Sequence, residues 1–264
     1  MPTINDALAV LSALIGGVMN SIAGGGTLVT FPALIALGVP PINANATSTV
    51  ALWPGAAGSM WGYRSELRGS SAWALGFALP SLLGGGLGAW LLLQTPPEQF
   101  SAIVPWLVLG ATLLFVAQER LLASFQLKKG MTPDPDAALD AALTSRRAPW
   151  SVLFYQFLVS IYGGYFGAGV GILMLAALGF MGLSNIHRMN GLKNWGGLCM
   201  NAVAAAMFAF SSLVSWRVAL AMAGGAICGG YLGSRTAQRV PQRLVRGSIV
   251  AIGLISGVLL LLSR

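Results

Sequence analysis

The residues best placed to do chemistry in this chain are two glycine clusters that interrupt apolar segments. One contains Gly24, Gly25 and Gly26 followed by Thr27, and the other spans residues 163–171. Glycine lets the backbone leave the helical conformation and approach a ligand closely. A helix that begins after such a break points unpaired N–H groups and the positive end of its dipole at that ligand. Both breaks therefore suit the binding of an anion; the alternative is that their glycines only permit close helix packing.

Amides and hydroxyls accompany the two breaks, and they donate to an anion without the desolvation cost of a buried charge. Lys193 is the cation among them. It either neutralises the substrate at the cytoplasmic end of a cavity or extends to lipid phosphate. The predicted substrate-binding residues are Asn20, Ser21, Gly24, Gly25, Gly26, Thr27, Asn45, Thr47, Ser48, Gly167, Gly169, Gly171, Asn190, Lys193 and Asn194.

Three asparagines in this chain receive specific predictions. Asn45 and Asn190 occupy matching positions in the two halves of the chain, and we expect them to approach each other and flank the substrate. Ordinary capping of its own helix is the alternative for Asn45. Asn201 lies deeper in an apolar segment and is expected to bond a neighbouring helix. The glycine-rich stretches 84–88 and 224–233 are expected to permit close helix packing.

The composition excludes several classes of protein. Hydrophobic residues make up 56% of the chain and charged residues 8%, whereas soluble domains carry about 25% charged residues. The net charge of +8 resides in short loops rather than a basic arm, so we expect no nucleic-acid partner.

The apolar segments contain no Asp or Glu, and the single histidine, His187, lies in a turn. We therefore expect neither catalysis nor a cofactor or metal, and the expected partners are a small anion and the lipid bilayer, with oligomeric state left open.

The elements that must position the breaks occur in the same order in both halves of the chain. The arms after the breaks, residues 27–37 and 171–181, are about 16 Å long, roughly half of a 30 Å hydrocarbon core. They are half-helices or the returning arms of re-entrant hairpins. The predicted segments are 7–22, 27–37, 44–62, 70–93 and 100–118 in the first half, and 149–162, 171–181, 189–211, 217–233 and 247–263 in the second.

Lys and Arg residues predict how these segments are oriented. Thirteen of the fifteen lie in the loops after residues 62, 118, 181 and 233, and such loops face the cytoplasm. Both termini then lie outside, and the two halves have inverted topology. Glycines match between the halves at a near-constant offset, with Gly24 and Gly26 matching Gly169 and Gly171.

The predicted fold is therefore an all-α polytopic membrane protein. Residues 1–118 and 149–264 form two inverted repeats, each with a broken or re-entrant helix pair followed by three spanning helices, and residues 119–148 form a cytoplasmic linker. Paired interruptions of apolar segments indicate the binding site of a secondary transporter. A channel that uses the same helix dipoles is the alternative.

The motifs at the breaks also resemble those of a known family. The sequences GVMNSIAGGG (17–26), FP (31–32), ANATST (44–49) and GGYFGAGVG (163–171) resemble the sulfite exporter TauE/SafE family of membrane permeases. The resemblance covers nearly the whole chain and implies a carrier of the bacterial inner membrane that takes sulfite or an organosulfonate such as sulfoacetate. The chain departs from the family at residues 190–194, NGLKN, where an Asn-Ala-Thr-Ser-like run is more usual.

Overall fold

The computed structural model describes residues 4–22, 24–68, 70–128, 148–180, 183, 185–236 and 242–262. All regular secondary structure in these ranges is α-helical, which confirms the predicted class. The helices are α1 Ile4–Ile22, α2 Thr27–Ala36, α3 Pro41–Gly62, α4 Ser71–Gln94, α5 Pro97–Lys128, α6 Trp150–Tyr165, α7 Val170–Phe180, α8 Ile186–Ala209, α9 Trp216–Thr236 and α10 Gln242–Leu262.

The helix boundaries follow the predicted segments to within five residues except at the end of α5, and several helices begin earlier than predicted. Helix α3 begins at Pro41, three residues before the predicted start at residue 44, because proline in the first turn supplies the required φ and lacks only an N–H that would be unpaired there. Helix α5 continues to Lys128, so residues 119–128 are helix rather than linker. Charges begin at residue 119, but the residues that follow are mostly good helix formers. The rest of the predicted linker, 129–147, lies outside the described residues.

Apolar side chains cover much of the outer surface of the helix bundle. Leu75, Leu79, Leu113 and Leu220 are 73%, 64%, 69% and 67% exposed. Apolar surface of this extent is suited to hydrocarbon rather than water. By length and composition alone, Asn5–Ile22 and Ser71–Gln94 are the described helices that could cross a membrane.

Each broken pair folds as a hairpin in which the short second arm returns along the first. A Cβ atom on Gly16 of α1 would lie 2.8 Å from the Thr30 methyl of α2. The Tyr162 hydroxyl of α6 donates to the carbonyl of Ala168 at 2.6 Å, and the Tyr155 hydroxyl donates to Leu173 of α7 at 3.3 Å. Of the two expectations for the short arms, the structure has returning arms.

Both turns of these hairpins contain glycine in the left-handed region. The φ angles are 79° at Gly24, 78° at Gly167 and 72° at Gly169. A residue with a Cβ atom adopts such angles only at a cost in free energy. Glycine is thus required here by the backbone of the turns themselves.

The closest helix packing joins the first half of the chain to the second. Gly225, Gly229 and Gly233 of α9 lie against the backbone of α1, while Gly84 and Gly88 of α4 lie against the backbone of α6. Repeated small residues let helices approach in this way inside membranes. The packing role expected for both glycine stretches is confirmed at these positions.

Helices α3 and α8 form an antiparallel central pair. The Asn43 amide at the start of α3 donates to Leu213, just beyond the end of α8, at 2.9 Å. Near the middle of both helices the Trp53 indole N–H donates to Leu198 at 3.2 Å. Each helix therefore begins beside the end of the other.

The loops that hold the basic residues gather at one end of the bundle, which we call the basic end. The end of α3 meets the end of α9, because a Cβ on Gly62 would touch Ser234. The start of α8 lies against Leu67 in the loop after α3. Ala148, at the end of the inter-repeat segment, lies beside Gly76 near the start of α4.

Alanine substitutions in α9 test the packing of its glycines. A Cβ on Gly230 would overlap the carbonyl oxygen of Gly55, whereas a Cβ on Gly224 meets no atom within 4 Å. We expect Gly230→Ala to destabilise the protein by about 1–3 kcal/mol through overpacking. Gly224→Ala, the matched control, should stabilise it by up to about 1 kcal/mol through helix propensity. The measurement is the midpoint of thermal unfolding in detergent; equal midpoints for both variants would contradict the packing account.

Candidate substrate site

The two hairpin turns meet inside the bundle. We call the turn between α1 and α2 the first tip and the turn between α6 and α7 the second tip. Gly24 in the first tip lies against Gly171 at the start of α7, where a Cβ on Gly24 would be 2.9 Å from the Gly171 nitrogen. The two glycine breaks recognised in the sequence therefore form a single region of the structure.

The end of α1, at the first tip, is capped by side chains from α8. The Lys193 ammonium donates to the carbonyls of Asn20 and Ser21 at 3.2 and 3.1 Å, and the Asn194 amide donates to Ser21 at 3.2 Å. The last carbonyls of a helix lack partners within it and form the negative end of its dipole. Lys193 is only 3% exposed. The expectation that it extends to lipid phosphate is wrong, because its ammonium is held inside the bundle by these carbonyls.

The end of α6, at the second tip, is capped by a side chain from α3. The Asn45 amide donates to the carbonyl of Tyr165 at 2.9 Å, and Asn45 is fully buried. Pro40, not Asn45, occupies the N-cap position of α3. Asn45 therefore caps the end of another helix rather than the start of its own.

Asn45 and Asn190 do not flank one site. Asn45 precedes Trp53 by eight residues and Asn190 precedes Leu198 by eight, which is about 12 Å of helix in each case. Trp53 and Leu198 meet while α3 and α8 run in opposite directions, so the two asparagines lie towards opposite ends of the pair. The expectation that they approach each other is wrong. Asn190 is 4% exposed, and its Oδ1 has no hydrogen-bond partner among the described residues.

A small cavity lies between the first tip, the start of α7 and the inner face of α8. Its volume is about 20 Å³, roughly the space of one water molecule. It brings together five of the predicted residues from four separate elements. The lining residues are Asn20, Gly24, Ala56, Val170, Gly171, Met174, Lys193, Asn194, Gly197 and Asn201.

Asn201 lines this cavity, although the sequence analysis assigned it to a contact between helices. Its spacing carried the signal, since residues 194, 197 and 201 follow intervals of three and four and so share one helix face. The apolar lining residues Ala56, Val170 and Met174 carried no comparable signal. They are ordinary small or apolar residues in a chain that is rich in both.

The other predicted residues form the tips or tie elements together. The Ser48 and Thr30 hydroxyls are 2.6 Å apart, and the Thr47 hydroxyl accepts a hydrogen bond from the backbone N–H of Ser215 at 3.0 Å. Ser21 is buried, and its hydroxyl has no hydrogen-bond partner among the described residues. The remaining residues are Gly25, Gly26 and Thr27, at the start of α2, and Gly167 and Gly169, in the second tip.

Comparisons with known proteins agree along the length of the chain. The model of the sulfite exporter TauE/SafE family matches residues 9–260. A probable membrane transporter protein, ORF9, of Sinorhizobium sp. is 28% identical, with 97% of this chain and 92% of the relative covered. A probable membrane transporter protein of Haemophilus influenzae is 28% identical, with 93% and 91% covered. YfcA of Escherichia coli K12, also a probable membrane transporter protein, is 27% identical, with 94% and 87% covered.

No solved structure matches this chain. The family match spans both hairpins and the central helix pair, including every residue that lines the cavity. The chain belongs to the sulfite exporter TauE/SafE family of membrane transporters.

Proposed function

We propose that this protein is a secondary transporter that carries sulfite or an organosulfonate and binds the anion between the two hairpin tips. The observation that carries the proposal is the cavity beside the start of α7, which is lined by the buried Lys193 and by Asn20, Asn194 and Asn201. An ammonium has three N–H donors, and Lys193 directs two hydrogen bonds at backbone carbonyls. One donor then remains for an anion.

The remaining predicted residues have supporting roles in this proposal. Gly25, Gly26 and Thr27, together with Gly169 and Gly171, supply backbone N–H groups beside the tips. Gly24 and Gly167, whose N–H groups donate to the carbonyls of Met19 and Tyr162, give the tips their left-handed turns. Asn45 holds α3 to the second tip, Thr47 holds it to the loop after α8, and Ser48 holds it to α2. Asn190 is buried near the start of α8. The Ser21 hydroxyl is buried next to the carbonyls that hold Lys193.

The packing supports two inverted repeats, residues 1–118 and 149–264. Helix α1 runs alongside α9, from Val10 at Gly225 to Val18 at Gly233, towards the basic end. Helix α6 starts near the basic end and runs parallel to α4, from Leu153 at Gly76 to Ile161 at Gly88, which is the direction opposite to that of α1. The pair α1 and α9 thus corresponds to the pair α6 and α4 in the other half, with the direction of both helices reversed. Repeats of this kind favour alternating access.

The size of the cavity also favours a carrier over a channel. A space of about 20 Å³ holds about one water molecule, so an oxyanion enters only when the tips separate. A pore would require a continuous opening past both tips. The family description and the names of the relatives are those of transporters, so we assign no catalytic activity.

We further propose that the protein lies in the bacterial inner membrane with its basic end in the cytoplasm and both termini outside. An inside-negative potential expels an anion with about 2.3 kcal/mol per charge per 100 mV. Electrogenic export of the anion then needs no coupling ion.

Accessibility of single cysteines tests the orientation. Ser65 is exposed in the loop after α3, and Ser212 is exposed at the other end of the bundle, in the loop after α8. In a background with the exposed Cys228 replaced by alanine, an impermeant thiol reagent should label Ser212→Cys in intact cells. It should label Ser65→Cys only after the membrane is permeabilised. The opposite pattern, or labelling of both variants in intact cells, would overturn the proposed orientation.

Transport of labelled sulfite in proteoliposomes tests the site. Lys193→Gln keeps donors for the carbonyls of the first tip but removes the charge, so we expect KM to rise about 10- to 150-fold, as for a lost charged hydrogen bond of about 1.5–3 kcal/mol. The control is Arg217→Gln, which removes a cation with 73% side-chain exposure at the other end of the bundle. Equal KM values for Lys193→Gln and the parent would refute the site.

Counterflow distinguishes the carrier from the channel. Vesicles loaded with unlabelled sulfite should take up labelled sulfite faster than empty vesicles, because a carrier with bound substrate reorients across the membrane faster than an empty one. The initial rate should also saturate as the sulfite concentration rises. Initial rates that rise in proportion to the external sulfite concentration and do not depend on sulfite inside the vesicles would indicate the channel instead.

A further inference from the structure

We propose that the site selects substrates that carry one negative charge, such as hydrogensulfite, the monoanion of sulfite, and rejects dianions. This inference rests on the transport function proposed above and specifies the class of anion that the cavity accepts. It is carried by the charges that the protein places around the cavity.

Lys193 is the single charged residue among those that line the cavity. Glu66 is near the start of α8, where its Cβ lies 3.8 Å from a Cβ built on Gly191, but it does not line the cavity. Arg188, in the first turn of α8, does not line it either. The amides of Asn20, Asn194 and Asn201 orient an anion without changing the net charge.

The two halves of the chain differ at the position that supplies this charge. At the offset that relates Asn45 to Asn190, Lys193 corresponds to Ser48. Ser48 is fully buried, and its hydroxyl lies 2.6 Å from that of Thr30. Ser48 does not line the cavity, so the cation at position 193 has no counterpart there from the first half of the chain.

Burial makes this difference in charge decisive. Lys193 is 3% exposed, and its ammonium faces the negative end of the α1 dipole through the carbonyls of Asn20 and Ser21. A bound monoanion leaves the ammonium and its ligand with no net charge. A dianion leaves one negative charge removed from water and close to those carbonyls, which is strongly unfavourable.

Competition against labelled sulfite in proteoliposomes tests the inference at pH 6, where sulfite is mainly the monoanion hydrogensulfite. The competitors are methanesulfonate and methyl sulfate, which are monoanions, and sulfate, a dianion with a similar tetrahedral sulfur. We expect both monoanions to inhibit uptake at concentrations at least about tenfold lower than sulfate, because an uncompensated buried charge is costly. Arg217→Gln, with its cation outside the cavity, should keep this preference.

Two variants change the charge of the cavity in opposite directions. Lys193→Gln should weaken inhibition by the monoanions at least about tenfold, because the charge that matches them is removed. Asn201→Lys adds a cation and should move the preference about tenfold or more towards sulfate. If Asn201→Lys does not fold, Met174→Lys, at a lining position on α7, takes its place.

The outcomes separate this inference from the proposed function. Sulfite transport in which sulfate competes as well as methanesulfonate would overturn charge selection and leave the transporter intact. A preference for monoanions that survives Lys193→Gln unchanged would also overturn it. Absence of transport of any sulfur anion by the parent protein would overturn both proposals together.

Discussion

The structure depends on how it satisfies the backbone carbonyls at two helix ends buried inside the bundle. A helix that stops within an apolar region leaves acceptors that neither lipid nor solvent can pair. Here each end is capped from the opposite half of the chain, with Asn45 on the carbonyl of Tyr165 and Lys193 and Asn194 on those of Asn20 and Ser21. Because both partners are needed, neither half of the chain completes its own hairpin.

The same exchange between halves extends through the helix packing. The glycine surfaces of α9 and α4 lie on α1 and α6, which belong to the other half, and the central pair joins α3 to α8. The proposed substrate site follows from this arrangement. Helix α8 caps the first tip with Lys193 and Asn194, and these residues also line the cavity beside the start of α7 together with Asn201. The same face of α8 therefore supports the first tip and carries the groups proposed to bind the anion.

The sequence was sufficient to predict the helices and the breaks, because long runs without charge and paired glycine clusters are direct consequences of the bilayer and of backbone conformation. It did not predict which side chain caps which tip. In the proposed inverted repeats, equivalent residues meet only near the axis that relates the two halves, as Trp53 and Leu198 do. Nothing local to Asn45 or Asn190 reveals their distance from that axis. The predicted segment ended at residue 118 because charged residues begin at 119. Charged residues end the apolar part of a helix but not the helix itself, and α5 continues to Lys128.

The candidate site was partly predictable because some of its residues give local signals in the sequence. Gly24, Gly171, Asn20, Lys193 and Asn194 all line the cavity, since breaks and nearby polar groups are local signals. The acceptors of Lys193 lie more than 170 positions away in the chain, so its role as a cap was visible only in three dimensions. Ala56, Val170 and Met174 complete the walls through packing alone.

The central claim is that an anion binds between the tips and beside Lys193. Anomalous diffraction from crystals of the protein grown with selenite, in which selenium replaces the sulfur of sulfite, measures this position directly. The account predicts a selenium peak inside the cavity, about 4 Å from the Lys193 Nζ, as expected for a charge-assisted hydrogen bond to a selenite oxygen. It also predicts that this peak is lost in the Lys193→Gln variant. A selenium peak elsewhere in the bundle, with the space between the tips unoccupied, would contradict it.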